Sequence, residues 1–321
     1  MQRLTLERRQ IWIYLLAIIG GLLISSTAPQ IGERLEFLVW PVLAALLYAT
    51  FCQTPLLHLR EAFSDRRFVL AAMIGNFVLI PCWVWIALAW LPPDDPALRL
   101  GIALVLLMPC TDWFITFTQL GRGNTARAMA TTPLNLLVQL SLLPLYLWLM
   151  LPAEDFGAVL RTDAMLPAAL VLIGVPLLAA ALTERWSDAK PERHAWRERL
   201  GWFPVPLLAV VMFLIAAAQA GVMRSAGPLL LTVLPVFIGF LFSAALFART
   251  LGWWFRLPAD SGRTLAFSFA TRNSFLVLPF ALALPAGWEV AVVVIVIQSL
   301  VELFGMVIFL WWVPERLFRQ R

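Results

Sequence analysis

The sequence predicts an all-α integral membrane protein with ten transmembrane helices arranged as two inverted five-helix repeats. Of its 321 residues, 61% are hydrophobic and 13% are charged, whereas soluble domains are roughly 45–50% apolar and about 25% charged. Apolar runs near 20 residues in length cross a bilayer as helices. Such runs lie at 11–28, 37–57, 69–91, 100–120, 128–151, 164–183, 203–222, 228–248, 264–285 and 289–313.

The basic residues follow the positive-inside rule when both termini are placed in the cytoplasm. The segments that then face inwards hold 19 of the 24 Lys and Arg residues, the outer connections hold 4, and Arg272 lies within span 9. The inward segments are 1–10, 58–68, 121–127, 184–202, 249–263 and 314–321. This asymmetry predicts a multi-pass protein of the inner (plasma) membrane, in contact with the lipid bilayer. Positive charge dispersed over short loops argues against a nucleic-acid partner.

Five spans precede residue 160 and five follow it, which predicts a first repeat at 1–160 and a second at 161–321. An odd number of spans per repeat makes the second repeat inverted in the membrane. Rare polar residues support this correspondence. Span 4 is interrupted by Pro109-Cys110-Thr111-Asp112, and its counterpart span 9 by Thr271-Arg272-Asn273-Ser274.

The last span of each repeat carries a polar pair. Asn135 and Gln139 lie in span 5, and Gln298 and Glu302 in span 10. The spacing i, i+4 places each pair on one helical face. The pairs either line a site or, as Asn and Gln often do, hydrogen-bond across helices to hold them together. The match between the repeats favours a site.

Helix breaks expose backbone N–H and C=O groups. Within a membrane such groups are tolerated where they face protein or a water-filled cavity. We therefore expect the breaks of spans 4 and 9 to lie against each other near the membrane midplane. A solute would bind beside this crossing, lined by Asn135, Gln139, Asn273 and Gln298.

Three ionisable residues, Asp112, Arg272 and Glu302, lie inside apolar stretches, where charges are costly and mark transport pathways. Asp112 and Arg272 are predicted to form an ion pair that holds the crossing, either as a fixed structural contact or as one that opens during function. Glu302 then lacks a basic partner, and burial favours its neutral form. This predicts a proton site at Glu302, with purely structural bonding by Gln298 as the alternative.

Cys110 follows Pro109 at the break of span 4. A thiol in such a position acts as a nucleophile or as a soft ligand, and soft thiolates select soft metals and metalloids. Cys52 and Cys82 are predicted to be small packing residues. An intramembrane thiol enzyme is a third possibility, but no His lies in a span to activate the thiol. The sequence therefore predicts a protein that is not an enzyme and needs no cofactor.

Around Met108-Pro109-Cys110-Thr111 the sequence resembles the arsenite permeases of the bile acid:sodium symporter superfamily. Members have ten spans in two inverted repeats, a Pro-Cys-Thr motif in a broken fourth span and a Glu in the last span. Asn273 and Glu302 of this sequence extend the match. The resemblance implies a core domain of spans 3–5 and 8–10 that faces a panel of spans 1, 2, 6 and 7.

The resemblance also implies a function: a secondary transporter that exports arsenite by proton antiport with alternating access. Cys110, beside Thr111, would contact the metalloid, and Glu302 would exchange the proton. The sequence departs from the family pattern at Asp112-Trp113. It also departs from it in span 9, where sodium-coupled members have a Glu and a Gln as sodium ligands and this sequence carries Arg272 and no acid. A fixed guanidinium there would take the place of a sodium ion. The alternative is a carrier of a small organic or methylated-arsenic anion that binds Arg272.

Overall fold

The computed structural model describes residues 3–54, 65–111, 113–152, 165–218 and 226–319, so Asp112 lies outside the described residues. In chain order, the helices of the first half are α1 (Arg3–Thr27), α2 (Pro29–Leu35), α3 (Val39–Phe51), α4 (Arg66–Ile74), α5 (Ile80–Ala89), α6 (Pro96–Leu107), α7 (Trp113–Leu120) and α8 (Thr125–Met150). Those of the second half are α9 (Met165–Asp188), α10 (His194–Leu200), α11 (Pro204–Ala218), α12 (Ala226–Trp254), α13 (Ala259–Ala270), α14 (Ser274–Leu282) and α15 (Glu289–Trp312).

Short segments of other helix types extend several of these helices. A π-helix at Gly75–Leu79 joins α4 to α5, and a second one at Val313–Leu317 continues α15. Four of the described helices begin at an Asx cap: Asp65, Asp95, Asn124 and Asn273 accept hydrogen bonds from the backbone N–H three residues further on. These caps satisfy donors that a helix start leaves unpaired.

The helices have the length and composition of membrane spans. Six helical stretches of the described residues are each apolar and long enough to cross a bilayer. They are Gln30–Phe51, Arg66–Ala89, Thr125–Met150, His194–Ala218, Gly227–Trp254 and Glu289–Leu317. The predicted all-α membrane class is thus confirmed. Predicted spans 4 and 9 are each divided into two helices, α6 with α7 and α13 with α14, and neither half reaches the length of about 20 residues that a crossing needs.

The helices pack as two groups. In the first, α1 packs along α11, and α3 packs against both α9 and α11. Gly21 permits this close approach, because a Cβ atom there would collide with the backbone oxygen of Phe213. In the second group, α6 packs along α15 and α12 along α13. The groups meet where α14 packs against α3 and α9. They also meet where Trp113 of α7 stacks on Tyr14 of α1, with ring centroids 6.0 Å apart.

A polar network gathers the helix starts at one end of the second group. Arg127 pairs with Asp65 at 2.6 Å and also bonds Ser261. Burial acts to raise the pKa of Asp260, but hydrogen bonds from Asn124 and Ser261, with the charge of Arg127, lower it below its ordinary value. The network joins segments 58–68, 121–127 and 249–263, which the charge pattern assigns to one side of the membrane.

Candidate functional site

The two helix breaks pair with each other through their backbones. Pro109 and Arg272 form an isolated antiparallel bridge. The N–H of Cys110 donates to the carbonyl oxygen of Thr271 at 3.1 Å, and the N–H of Asn273 donates to that of Met108 at 2.7 Å. Backbone groups that lost their helical partners are thereby satisfied. The predicted contact between the breaks of spans 4 and 9 is present.

Local sequence explains why the helices stop here. Proline restricts the preceding residue to extended conformations, and Met108, the C-cap of α6, has φ −105° and ψ 102°. The second break begins at Thr271, also extended, and ends at Asn273. The side-chain oxygen of Asn273 accepts from the N–H of Leu276 at 3.2 Å and so caps α14.

The guanidinium of Arg272 is buried among oxygen atoms at the crossing. Its Nη1 donates to the carbonyl of Leu106 at 3.2 Å. Its Nη2 lies 2.9 Å from each of three oxygens: Asn76 Oδ1 and the carbonyls of Ser268 and Phe269. The three carbonyls belong to the C-terminal turns of α6 and α13, which carry partial negative charge. Arg272 therefore balances two helix ends that meet inside the protein.

Glu302 contacts the same crossing through one carboxylate oxygen. Its Oε2 accepts from the backbone N–H of Arg272 at 2.8 Å and from Nε2 of Gln298 at 2.7 Å. Gln298 in turn accepts from the hydroxyl of Ser274 at 3.0 Å. The second oxygen, Oε1, is buried and has no hydrogen-bond partner among the described residues. One oxygen thus fixes the side chain, and the other is available to a proton, a water molecule or a solute.

Cys110 and Thr111 lie in the extended segment between α6 and α7. Cys110 is buried and is not part of a disulfide. Its thiol lies within electrostatic range of the Arg272 guanidinium. Thr111 Oγ1 accepts from Nδ2 of Asn273 at 3.2 Å, which adds a side-chain bond to the backbone pairing. Among the described residues, no group of three His, Cys, Asp or Glu side chains could hold a metal ion.

Asn135 and Gln139 are buried on α8, which packs against both halves of the first broken segment and against α13. None of their four side-chain polar atoms has a hydrogen-bond partner in the described part of the chain. Buried polar atoms in proteins are nearly always bonded. An unsatisfied pair on a helix that packs on both broken segments is therefore a suitable place for water or a polar solute, and no hydrogen bond to another described helix accounts for it.

The structure joins six of the predicted residues in one network: Cys110, Thr111, Arg272, Asn273, Gln298 and Glu302. Asn135 and Gln139 lie on a neighbouring helix without a hydrogen bond to that network. The predicted ion pair between Asp112 and Arg272 falls outside the described residues. Sequence reasoning missed Asn76, which bonds both Arg272 and the Ser268 hydroxyl. Its signal was an Asn within the apolar span 69–91.

Comparison with known proteins decides the family. The model of the Sodium Bile acid symporter family matches residues 40–226, more than half of the chain. The chain belongs to the Sodium Bile acid symporter family. The family resemblance predicted from Pro109-Cys110-Thr111 is confirmed, and membership makes the chain a membrane transport protein and not an intramembrane thiol enzyme.

The chain is also similar to two curated proteins. It is 22% identical to the arsenical-resistance protein Acr3 of Corynebacterium glutamicum over 324 residues, covering 94% of this chain and 83% of that protein. It is 29% identical to an uncharacterized protein of Pseudomonas aeruginosa over 188 residues, which is 56% of this chain and 55% of that protein. The Acr3 relative agrees with the arsenite-permease branch suggested by the motif.

Proposed function

We propose that the chain exports trivalent arsenic, as neutral arsenous acid, in exchange for protons across the plasma membrane. The family makes it a transporter, and a relative that it matches over 94% of its length is named for arsenical resistance. The substrate, the exchange with protons and the direction of transport are our inferences. They rest on the chemistry of the crossing.

The observation that carries the proposal is the hydrogen-bonded path between a thiol residue and an acid. Cys110 pairs through its backbone with Thr271, and the next residue, Arg272, donates its N–H to Glu302. A soft thiol provides affinity for a metalloid. A single thiol also suits a carrier, because the solute must leave the site again. Movement at the crossing would affect both residues together.

Glu302 is the proposed proton site. Its unsatisfied Oε1 can accept a proton, water or solute without breaking the bonds that hold Oε2. Thr111, Asn135, Gln139, Asn273 and Gln298 are the proposed polar lining of the substrate site. Solute binding would satisfy Asn135 and Gln139, whose polar atoms are buried without partners among the described residues.

We further propose ten spans with both termini in the cytoplasm, arranged as inverted repeats 1–160 and 161–321. The paired breaks support this arrangement, because each repeat contributes one of them. The two packing groups support a panel of spans 1, 2, 6 and 7 against a core of spans 3–5 and 8–10. The core would rock against the panel to give alternating access.

Arg272 supports sodium-independent coupling. A sodium ion in a protein binds oxygen atoms, and the guanidinium already lies among the oxygens of Leu106, Asn76, Ser268 and Phe269. Both terminal nitrogens donate to the protein, and only Nε has no partner among the described residues. These contacts disfavour an anionic substrate held by the two-pronged end of the Arg272 guanidinium. An anion carrier would instead show competition by anions that Arg272→Ala abolishes.

The test is arsenite uptake into everted membrane vesicles with and without a proton gradient. Wild type should accumulate arsenite when a gradient is imposed, and Cys110→Ala and Cys110→Ser should lose this accumulation. Cys52→Ala and Cys82→Ala are matched controls that should transport normally, since Cys52 follows the end of α3 and Cys82 lies in α5.

Full gradient-driven uptake by Cys110→Ser would show that the thiol does not bind the solute. Absence of uptake in well-expressed wild type would reject arsenite as the substrate.

A further inference from the structure

Two neighbouring cavities with basic linings open where α12 and α15 end. The first has a volume of about 720 Å³ and is lined by Arg249, Arg316 and Arg319. The second, of about 740 Å³, is lined by Arg256 and shares Leu257 with the first. All four arginines are exposed. Within the described part of the chain, no Asp or Glu lines either cavity, so the pair attracts anions.

The wall of the first cavity is fixed by hydrogen bonds. Arg249 Nη1 donates to the carbonyl of Leu317 at 2.7 Å. Arg263, which is buried, donates through Nε to the carbonyl of Phe318 at 3.1 Å. The ring of Phe318 packs over Gly262, where a Cβ atom would collide with it. Because the C-terminal segment is held against α12 and α13, Arg316 and Arg319 lie at a defined place beside Arg249.

Two helices, α12 and α15, carry exposed apolar faces that extend to the basic cavities. On α12, Ile238, Phe242 and Leu246 are exposed at a spacing of four residues, and the same face continues to Trp253, which is 81% exposed. On α15, exposed Phe304, Ile308 and Trp311 form a second face. The two helices pack together. Exposed Trp residues at the ends of membrane helices mark the level of lipid headgroups.

We propose that these cavities bind the phosphate headgroup of an anionic phospholipid, with its acyl chains along the exposed faces of α12 and α15. Arg forks match phosphate oxygens, and basic pockets between membrane helices on the cytoplasmic side take such headgroups. The continuous apolar faces favour a lipid over a soluble phosphate. The site is remote from Cys110 in sequence and does not depend on the transported solute.

Native mass spectrometry of the purified full-length protein tests the proposal. The probes are phosphatidylglycerol and cardiolipin, with phosphatidylcholine as the neutral comparison. Arg249→Gln/Arg316→Gln/Arg319→Gln removes three positive charges. The matched control Arg185→Gln/Lys190→Gln/Arg199→Gln removes three from exposed positions of another basic segment. Arg316→Gln/Arg319→Gln retains the Arg249–Leu317 hydrogen bond and serves if the triple variant does not fold.

Wild type and the control should retain the anionic lipids. The double variant should retain them about 25-fold less and the triple variant less still, since each basic residue contributes about fivefold. Equal loss in the control would show general charge attraction and overturn the site. Equal retention of phosphatidylcholine would also overturn it. The proposal would also be overturned if inorganic phosphate raised the Tm of the protein as much as the lipids do. A free anion would then be enough to occupy the site.

Discussion

At the residue scale, Arg272 and Glu302 have separate roles and do not form a side-chain ion pair with each other. The guanidinium bonds protein oxygens, and the carboxylate accepts the backbone N–H of Arg272 instead of its side chain. Glu302 is therefore attached to the crossing without its second oxygen being neutralised by a direct bond to the guanidinium. A carboxyl held in this way can change protonation while the arginine stays in place.

Glu302→Gln should uncouple transport from the proton gradient. Glutamine has the same size, and its amide oxygen can still accept from the Arg272 N–H, so the crossing should remain intact. Arsenite uptake into everted vesicles should become equal with and without the gradient, and should lose its pH dependence. Glu289→Gln, at the start of the same helix, is the control and should behave as wild type. Wild-type rate and pH dependence in Glu302→Gln would refute the proton role.

Arg272→Ala should destabilise the protein by about 3 kcal/mol or more, because each buried oxygen left without its donor costs about 1–3 kcal/mol. Four oxygens would lose their donor. The measurement is Tm in detergent, and millimolar guanidinium should restore part of the loss by entering the vacated space. Arg272→Lys should lower Tm less than Arg272→Ala does, because the positive charge is retained. It should still lower Tm below that of wild type, since an ammonium cannot reproduce the planar fork of the guanidinium.

Arg185→Ala, at an exposed position, is the control and should leave Tm unchanged. A Tm of Arg272→Ala equal to wild type would show that the arginine does not hold the two helix ends.

At the element scale, the broken helices were predictable from sequence and their partners were not. Pro109 and the run Thr271-Arg272-Asn273-Ser274 interrupt otherwise apolar segments, and both breaks occur there. The sequence does not indicate which oxygen atoms surround the Arg272 guanidinium. Three of them are backbone carbonyls, which every residue carries, so only the folded chain shows which ones reach the guanidinium. Asn76 could have been found as a polar exception within its apolar span.

Close packing of α6 on α15 makes a further prediction at this scale. A Cβ atom on Gly101 would lie 2.9 Å from Cα and 3.0 Å from the backbone oxygen of Ala291, and backbone atoms cannot move aside cheaply. Gly101→Ala should therefore cost about 1–3 kcal/mol by overpacking. It should also lower Tm and reduce transport, since α6 leads into Cys110.

Gly174→Ala on α9 is the matched control. A Cβ atom there meets nothing within 4 Å, so its Tm should equal or exceed that of wild type. Equal Tm values for Gly101→Ala and wild type would show that α6 and α15 can separate without cost.

At the scale of the whole molecule, the charge pattern and the packing agree. Segments 58–68, 121–127, 249–263 and 314–321 were assigned to one side from their Lys and Arg residues alone. In the structure, described residues of these segments bond one another: Asp65 with Arg127, Arg122 with Arg263, and Arg263 with Phe318. The second packing group therefore has one tightly bonded end, which is what the proposed rigid-body movement of the core requires.

Rocking of this core against the panel predicts that a link between the two groups stops transport. Tyr14 of α1 and Trp113 of α7 are stacked across the boundary. In a Cys52→Ala/Cys82→Ala background, with arsenite present to protect Cys110 during the reaction, the pair Tyr14→Cys/Trp113→Cys should lose arsenite uptake after linking by a bifunctional methanethiosulfonate. Reductant should restore the rate.

Gly20→Cys/Phe213→Cys links α1 to α11 within the panel, where the Gly20 Cβ position is 3.6 Å from the Phe213 ring. That control should transport equally before and after linking, because both helices would move together. Undiminished uptake by fully linked Tyr14→Cys/Trp113→Cys protein would rule out rigid-body rocking at this boundary.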